Sequence, residues 1–203
     1  MLFEGTFPEG NTFSEQIFFK VPNEVNEYRG SINATFGVER GIVKEIRIIP
    51  GKVPNHSLSE FLQKYGPPDE VWVYRYSEGP IETLDFSYFI FYQELGMLIS
   101  MGVTNLIDSD GLIEGCINSD YITIEGPPIF LWAPDPQISF ITVMSKGIIP
   151  RDPKIPPVDA FLLLKDIEIN GMDEQGFYDI FVNPGTEHCI NTPREKWPYI
   201  GVH

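Results

Sequence analysis

The chain has 203 residues, of which 42% are hydrophobic and 13% aromatic, and this apolar content is too high for an intrinsically disordered protein. Its 29 acidic and 14 basic residues give a net charge of −15, which disfavours binding to nucleic acid or to an anionic membrane surface. No stretch reaches the ~20 apolar residues that a membrane-spanning helix needs, and the 18 glycines and 18 prolines favour a turn-rich fold with many strands.

The first predicted element is a short helix with a capping box. Thr12 and Glu15 have the required spacing, in which the hydroxyl accepts from the amide three residues on and the carboxylate accepts from the amide of the cap. A β-hairpin follows, with strands at residues 31–38 and 42–49 joined by a Glu-Arg-Gly connection. A three-residue connection ending in glycine is typical of a type I turn followed by a bulge. These elements form a helix-then-hairpin unit over about residues 5–50.

A second copy of this unit is expected over about residues 51–103. Ser57 and Glu60 form its capping box, and a Gly-Pro-Pro stop at residues 66–68 ends the helix because proline cannot continue it. The strands of this copy are predicted at residues 71–76, 86–93 and 97–101. The second of these is apolar on both faces, which predicts a central place in the sheet. Its hairpin connection, Glu-Leu-Gly, shares a Glu-x-Gly pattern with the first copy.

Beyond the two copies the pattern changes to a strand- and loop-rich extension. Residues 104–120 are expected to be a loop and residues 183–203 an irregular tail. Phe177, Ile180 and Phe181 have the spacing of a short amphipathic helix. Further predictions are strands at residues 121–125, 129–132 and 138–144, a polyproline-like connector at residues 150–157 and an apolar segment at residues 161–165.

The predicted fold class is therefore α+β. Two helix-then-antiparallel-hairpin repeats form a sheet with helices on one face in residues 1–103, and residues 104–203 pack on it as part of one continuous globular unit.

The capped helix, its Gly-Pro-Pro-Asp stop and the antiparallel strands after it, given twice, resemble a known fold family. The resemblance is to the β-lactamase-inhibitor-protein-like fold and to small outer-membrane-assembly lipoproteins. Residues 57–69 and 71–101 carry it, with residues 12–49 as the fainter copy, so it covers about the first half of the chain. Bacterial envelope proteins of unknown function, often lipoproteins, are also similar. The resemblance implies a non-catalytic module that binds other proteins through its sheet face and loops.

Four aromatic residues are the candidate binding residues. Trp72, Tyr74 and Tyr76 alternate along one predicted strand, and Trp132 lies beside a proline-rich bend. Tryptophan and tyrosine on one sheet face can form a platform for a protein or a sugar. The same row can also be core packing with its polar tips satisfied, so both interpretations stay open.

The two cysteines are the candidate disulfide. Cys116 and Cys189 lie in Glu-x-Cys-Ile-Asn surroundings, and a disulfide and two free thiols are equally compatible with the sequence. His188 precedes Cys189, which leaves an alternative function open, a small enzyme or metal-dependent binder centred on these three residues. Adjacent residues of an extended chain point to opposite sides, so a catalytic Cys–His pair is disfavoured. Without Cys-x-x-Cys spacing, the zinc signal is weak.

No catalytic residue, metal or cofactor is assigned. The sequence lacks the Gly-x-Ser-x-Gly, phosphate-loop, dinucleotide-binding and His-Glu-x-x-His motifs. Asp108 and Asp110 with Glu114 resemble part of a calcium loop, which an Asx-rich turn explains better. His56 is expected to have a structural or solvated role, and His203 is expected to be a frayed terminus.

The functional prediction is a non-catalytic protein-interaction module of the bacterial cell envelope. Its protein partner is not specified by the sequence. The acidic charge is explained by solubility alone or by a basic partner or cation. We expect an extracytoplasmic location, with the leader missing from this sequence, in preference to a cytoplasmic one.

Overall fold

A computed structural model of the chain describes residues 3–5, 15–22, 31–49, 57–77, 84–103, 106–109, 111–120, 128–145 and 161–197. The strands are β1 (Phe3–Gly5), β2 (Glu15–Pro22), β3 (Ser31–Glu39), β4 (Ile42–Ile49), β5 (Glu70–Ser77), β6 (Leu84–Tyr92), β7 (Met97–Val103), β8 (Leu106–Ser109), β9 (Leu112–Asn118), β10 (Ile129–Trp132), β11 (Phe161–Leu163) and β12 (Glu187–Pro193). The helices are α1 (Leu58–Tyr65), α2 (Phe140–Ser145), α3 (Leu164–Ile167) and α4 (Glu174–Phe181). The described chain is thus a mixed α+β protein with mostly antiparallel strands and few, short helices.

The chain divides into two compact units that interleave along the sequence. The first unit comprises Met1–His56, Tyr92–Ile99 and Ile122–Val158. The second comprises Ser57–Phe91, Ser100–Tyr121 and Asp159–His203. Residues 97–99 of β7 belong to the first unit, and residues 100–103 belong to the second.

The first unit contains an antiparallel sheet in the order β1-β2-β3-β4-β10-β7. The first four strands pair in chain order, whereas β10 lies between β4 and the start of β7. In this register Ile129 lies opposite both Ile48 and Ile99, so apolar residues face one another across three strands. The short helix α2 buries Phe140, Val143 and Met144 at helical spacing.

The helix predicted for the first copy is wrong over the residues that the structure describes. Glu15 begins strand β2, which pairs with β1 and β3. The run from Ile17 to Val21 is rich in aromatic and β-branched residues, and this β-propensity outweighs the capping-box signal. Thr12 lies outside the described residues.

The first predicted hairpin is confirmed as β3 and β4, but its connection differs from the expected one. Glu39 pairs with Ile42, which leaves only Arg40 and Gly41 in the turn. Both have positive φ, 51° and 76°, as in a two-residue type I′ turn. The register shift lies inside the ladder instead, between Gly37 and Val38.

The described residues of the second unit form two sheets and three α-helices. Its larger sheet has the order β7-β6-β5-β11, with β7 represented by residues 100–103, and its smaller sheet has the order β12-β9-β8. The predicted central position of β6 is confirmed, since it lies between β5 and β7. Helix α3 packs near β5 and β11, and α4 packs near α1 and β12.

The second copy's helix is confirmed together with both of its predicted ends. The Ser57 hydroxyl accepts from the amide of Glu60 at 3.4 Å, and the Glu60 carboxylate accepts from the amide of Ser57 at 2.9 Å. At the other end Gly66 has a φ of 79° and its amide donates to the carbonyl of Leu62. Local chemistry at its two ends therefore determines the length of α1.

The turn of the second hairpin is also confirmed. Gly96 has a φ of 59°, and its amide donates to the carbonyl of Gln93 at 3.1 Å, which closes the turn between β6 and β7. The carbonyl of Gly96 then accepts from the amide of Trp132 at 2.9 Å. Gly96 thus closes the turn through its amide and bonds to the end of β10 through its carbonyl.

Three predictions for the C-terminal half are wrong. The expected loop at residues 104–120 contains β8 and β9, because Ile113 and Ile117 lie at alternating positions that bury one face of β9. The expected strand at residues 138–144 is largely the helix α2, whose first turn is capped by the Ser139 hydroxyl.

The expected irregular tail contains β12, because seven of its residues pair with β9. A short 3-10 turn, Arg194–Lys196, follows this strand. By contrast, the predicted helix around Phe177 is confirmed as α4. The predicted strand at residues 129–132 is confirmed as β10. The predicted strand at residues 121–125 and the connector at residues 150–157 lie outside the described residues.

Candidate functional site

The sheet β6-β5-β11 of the second unit carries a row of aromatic side chains on one face. Strand alternation places Trp72 and Tyr74 of β5 on that face, while Val71 and Val73 are buried on the other. The cross-strand register brings further residues beside them, namely Phe89 opposite Trp72, and Phe161 and Leu163 opposite Tyr74 and Trp72. We call Trp72, Tyr74, Phe89, Phe161 and Leu163 the aromatic face.

Ring contacts and one hydrogen bond order the aromatic face. The ring of Phe161 lies 5.2 Å from that of Tyr74 and 5.3 Å from that of Phe89, measured between centroids. The indole Nε1 of Trp72 donates to the Glu70 carboxylate at 2.7 Å. Phe161 is buried, whereas Trp72, Tyr74, Phe89 and Leu163 are half-buried. Such a surface offers large, pre-positioned apolar side chains at little entropic cost.

The four aromatic residues singled out from the sequence are not equivalent. Trp72 and Tyr74 lie together on the aromatic face. Tyr76 lies on the same strand, and its side chain is outside the described part of the structure. Trp132 belongs to the first unit, where it is 7% exposed at the end of β10. Its position is that of a core residue.

The two cysteines occupy directly opposed positions on β9 and β12. Cys116 and Cys189 are register partners, and their sulfur atoms are joined by a disulfide of 2.00 Å that closes a separation of 73 residues. Both side chains are half-buried, as is that of Glu114, two residues before Cys116 on the same face of β9.

Glu114 and the two cysteines form a compact group of potential metal ligands. One ligand atom from each residue lies within 4.8 Å of the other two. His188 is not part of this group. It pairs with Ile117, lies on the opposite face of β12 from Cys189, and its ring is 6.1 Å from that of Phe181. The sequence indicated the cysteines but not Glu114, because only the register of β9 with β12 brings the carboxylate to them.

Among the described residues of the first unit is a buried acidic side chain that was not predicted from the sequence. Glu45 on β4 is 4% exposed and lies opposite Trp132 of β10. Burial raises the pKa of Glu45 to about 8, although the nearby positive charge of Arg47 acts in the opposite direction. The Arg47 guanidinium lies 5.6 Å from the centroid of the Phe130 ring.

Within the described residues, two polar atoms of this pair lack hydrogen-bond partners, Oε2 of Glu45 and Nε of Arg47. A raised carboxyl pKa of this kind is found at functional sites and also in buried structural pairs. The burial of Glu45 depends on the pairing of β4 with β10, a strand far along the chain, and no local sequence signal predicts that pairing.

The side chains of the remaining sequence candidates lie outside the described part of the structure. Asp108 lies in β8, where only its backbone is described, and Asp110, His56 and His203 are outside the described residues. None of the helices in the described residues is both long and apolar enough to cross a membrane. No protein-family model, curated protein or solved structure matches the chain.

Proposed function

We propose that this chain is a non-catalytic protein-interaction module of the bacterial cell envelope that binds a protein partner through the aromatic face. The main support for this proposal is the group of half-buried rings on β5 and β6, with Trp72 and Tyr74 at its centre. Tryptophan and tyrosine dominate the energetic centres of protein interfaces because they bury large areas and lose few rotamers.

The charge of the chain supports a partner with basic residues around its contact surface. At −15, the field of the whole chain accelerates encounter with a basic protein and disfavours acidic ones. On this proposal the aromatic face supplies the apolar centre of the interface, and acidic residues elsewhere on the chain supply long-range attraction.

The disulfide supports an extracytoplasmic location. Disulfides persist in secreted and periplasmic proteins, whereas cytoplasmic thiols are kept reduced in most organisms. The bond between Cys116 and Cys189 is therefore best matched by an oxidising compartment.

The resemblance to the β-lactamase-inhibitor-protein-like fold remains part of this proposal in a reduced form. Its support is the second copy, where the capped helix α1 and its glycine stop precede β5, β6 and β7. The first copy shares the hairpin β3–β4 but has the strand β2 at residues where the repeat requires a helix. We therefore propose that the repeated element is the hairpin, and that only the second copy has the helix before it.

The alternative function, a small enzyme or metal-dependent binder centred on Cys116, His188 and Cys189, has weaker geometric support. The disulfide occupies both thiols, and His188 lies on the other face of its strand. A nucleophilic thiol needs a base within hydrogen-bond reach, and this arrangement does not supply one.

The proposal is tested by site-specific photo-crosslinking in the native host. A photoreactive phenylalanine analogue at position 72 is expected to capture a discrete envelope protein. The matched control carries the same analogue at Ile169, which is 47% exposed in the same unit. Equal capture at both positions, or none at position 72, would contradict the proposed interface.

A second arm tests the energetics with the captured partner. The double variant Trp72→Ser and Tyr74→Ser is expected to weaken binding at least about 100-fold, because hot-spot truncations each cost roughly 2 kcal/mol or more. Ile169→Ser is the control and is expected to bind like the wild type. Circular dichroism and thermal unfolding must show that both variants fold.

A further inference from the structure

Glu114, Cys116 and Cys189 are brought together by the pairing of two strands as well as by the disulfide. In the antiparallel register of β9 with β12, Cys116 faces Cys189 and Glu114 faces Asn191. Glu114 and Cys116 are two residues apart on one strand, so their side chains share a face. Seven consecutive residue pairs support this register, and in the disulfide-bonded chain the three ligand atoms lie within 4.8 Å of one another.

We propose that reduction of the disulfide converts this group into a binding site for a divalent transition-metal ion of the zinc type. Two thiolates and one carboxylate are a donor set that suits zinc, whereas calcium and magnesium require oxygen ligands. Water fills the fourth position of the tetrahedron. The site is separate from the aromatic face, so it does not depend on the proposed binding surface.

The geometry of paired strands accommodates the change from disulfide to metal. Zinc–sulfur bonds of ~2.3 Å in a tetrahedron place two sulfur atoms roughly 3.8 Å apart. The Cα atoms of Cys116 and Cys189 are 3.8 Å apart, so thiols on the two strands are within reach of one common ion. Rotation of the two thiols about their Cα–Cβ bonds therefore opens the space for an ion between Cys116 and Cys189.

The chemical balance of the switch requires an external dithiol. The dithiol transfers two electrons and two protons to the bond between Cys116 and Cys189; that bond breaks, two thiols form, and the dithiol becomes a disulfide. Metal binding then displaces one proton from each thiol. The charges of the two thiolates and of Glu114 are partly offset by the cation, which is also attracted by the net charge of −15.

The third ligand is Glu114 and not His188, because adjacent residues of β12 point to opposite faces. Glu187 lies two residues before Cys189 and therefore on the same face of β12. Its side chain is exposed, and it pairs with Asn118 of β9. Glu187 has the same spacing from a cysteine as Glu114, but it is not in the group of mutually close ligand atoms. It provides a matched control.

Cobalt(II) titration tests the proposal, since thiolate ligands give this ion an intense near-ultraviolet charge-transfer band. The full chain is reduced with a dithiol, desalted without oxygen and titrated, with oxidised protein in parallel. The expected result is a band that saturates at one ion per chain in the reduced protein, is absent in the oxidised protein and is displaced by zinc. Glu114→Gln is expected to raise the dissociation constant at least about tenfold, given the 10–100-fold losses seen even for outer-shell changes.

Glu187→Gln and His188→Ala are expected to bind cobalt like the wild type. The proposal is overturned if the reduced chain gives no band, if Glu114→Gln binds unchanged, or if either control variant loses as much affinity as Glu114→Gln. Reduced protein that has lost its far-ultraviolet circular dichroism also overturns it, because the site requires paired β9 and β12.

Discussion

Cys116 lies directly opposite Cys189 in the antiparallel ladder of β9 and β12, so the disulfide joins two side chains that the backbone pairing already brings together. The bond closes a loop of 73 residues that begins in β9 and includes β10, β11 and three helices. Because seven residue pairs also hold β9 and β12 in this register, we expect the main effect of the bond to be on the unfolded chain.

The double variant Cys116→Ser and Cys189→Ser is expected to lose about 4 kcal/mol of unfolding free energy, the chain-entropy value for a loop of this length. The measurement is equilibrium urea unfolding of the variant and of the oxidised and reduced wild type, without metal. Reduced wild type should resemble the variant. A variant with the midpoint of the oxidised protein would show that the bond contributes no stability.

Glu45 is expected to make the stability of the protein fall as the pH rises. Burial raises its pKa in the folded state from 4.5 to about 8, so the folded protein holds this proton more tightly than the unfolded chain. Relative to a neutral side chain, its contribution is fully present below pH 4.5 and is lost as the pH rises through about 8. The loss is on the order of a few kcal/mol, since each pKa unit corresponds to about 1.4 kcal/mol.

Glu45→Gln removes this ionisation and is expected to abolish its share of the pH dependence. Urea unfolding at pH 5 and at pH 9 measures the effect for the wild type and the variant. Glu94→Gln provides the control for the loss of one carboxylate, because Glu94 is exposed in the same unit. Parallel pH profiles for wild type and Glu45→Gln would contradict a buried carboxylate at this position.

The features that could be predicted from the sequence are those determined by nearby residues. The capping box of Ser57 and Glu60 and the glycine stop at Gly66 lie within a few residues of the helix that they delimit. Phe177 and Phe181 identify α4 in the same way. Strand alternation also predicted that Trp72 and Tyr74 would share a face.

The features that could not be predicted depend on partners distant in sequence. Strands β9 and β12 stabilise one another across 73 residues, and neither has a strong local pattern alone. The run at residues 138–144 is mostly apolar, with Ser139 and Thr142 between its apolar residues, and so short a run does not by itself distinguish a strand from a buried helix. Glu114 joins the cysteines, and Glu45 becomes buried, only after strand registers are known.

The capping box at the start of α1 is expected to stabilise the second unit through two coupled hydrogen bonds. Ser57→Ala removes the hydroxyl that accepts from the Glu60 amide and is expected to cost about 1–2 kcal/mol. Ser57 is buried, which favours the upper end of this range. Urea unfolding of Ser57→Ala, Glu60→Ala and the double variant forms a cycle, with an expected coupling of about 0.5–1 kcal/mol. Strictly additive losses would contradict a reciprocal box.

Gly96 needs to be glycine for its positive φ and also because a side chain would clash there. Gly41 shares only the positive φ, so comparing the two positions separates the two effects. Both have positive φ, 59° and 76°, so alanine at either position carries the cost of a left-handed conformation, about 1–2 kcal/mol. A Cβ at Gly96 would also collide with the carbonyl oxygen of Trp132 and lie 3.2 Å from the Pro134 nitrogen, whereas a Cβ at Gly41 meets no atom within 4 Å. The collision would displace β10 from the turn.

We therefore expect Gly96→Ala to cost about 1–3 kcal/mol more than Gly41→Ala, the usual penalty for overpacking. Urea unfolding of both variants, monitored by tryptophan fluorescence, measures the difference, and Trp132 lies next to the altered contact. Equal losses for the two variants would mean that only the φ requirement matters, and that the contact between Gly96 and Trp132 does not determine how β10 joins β7.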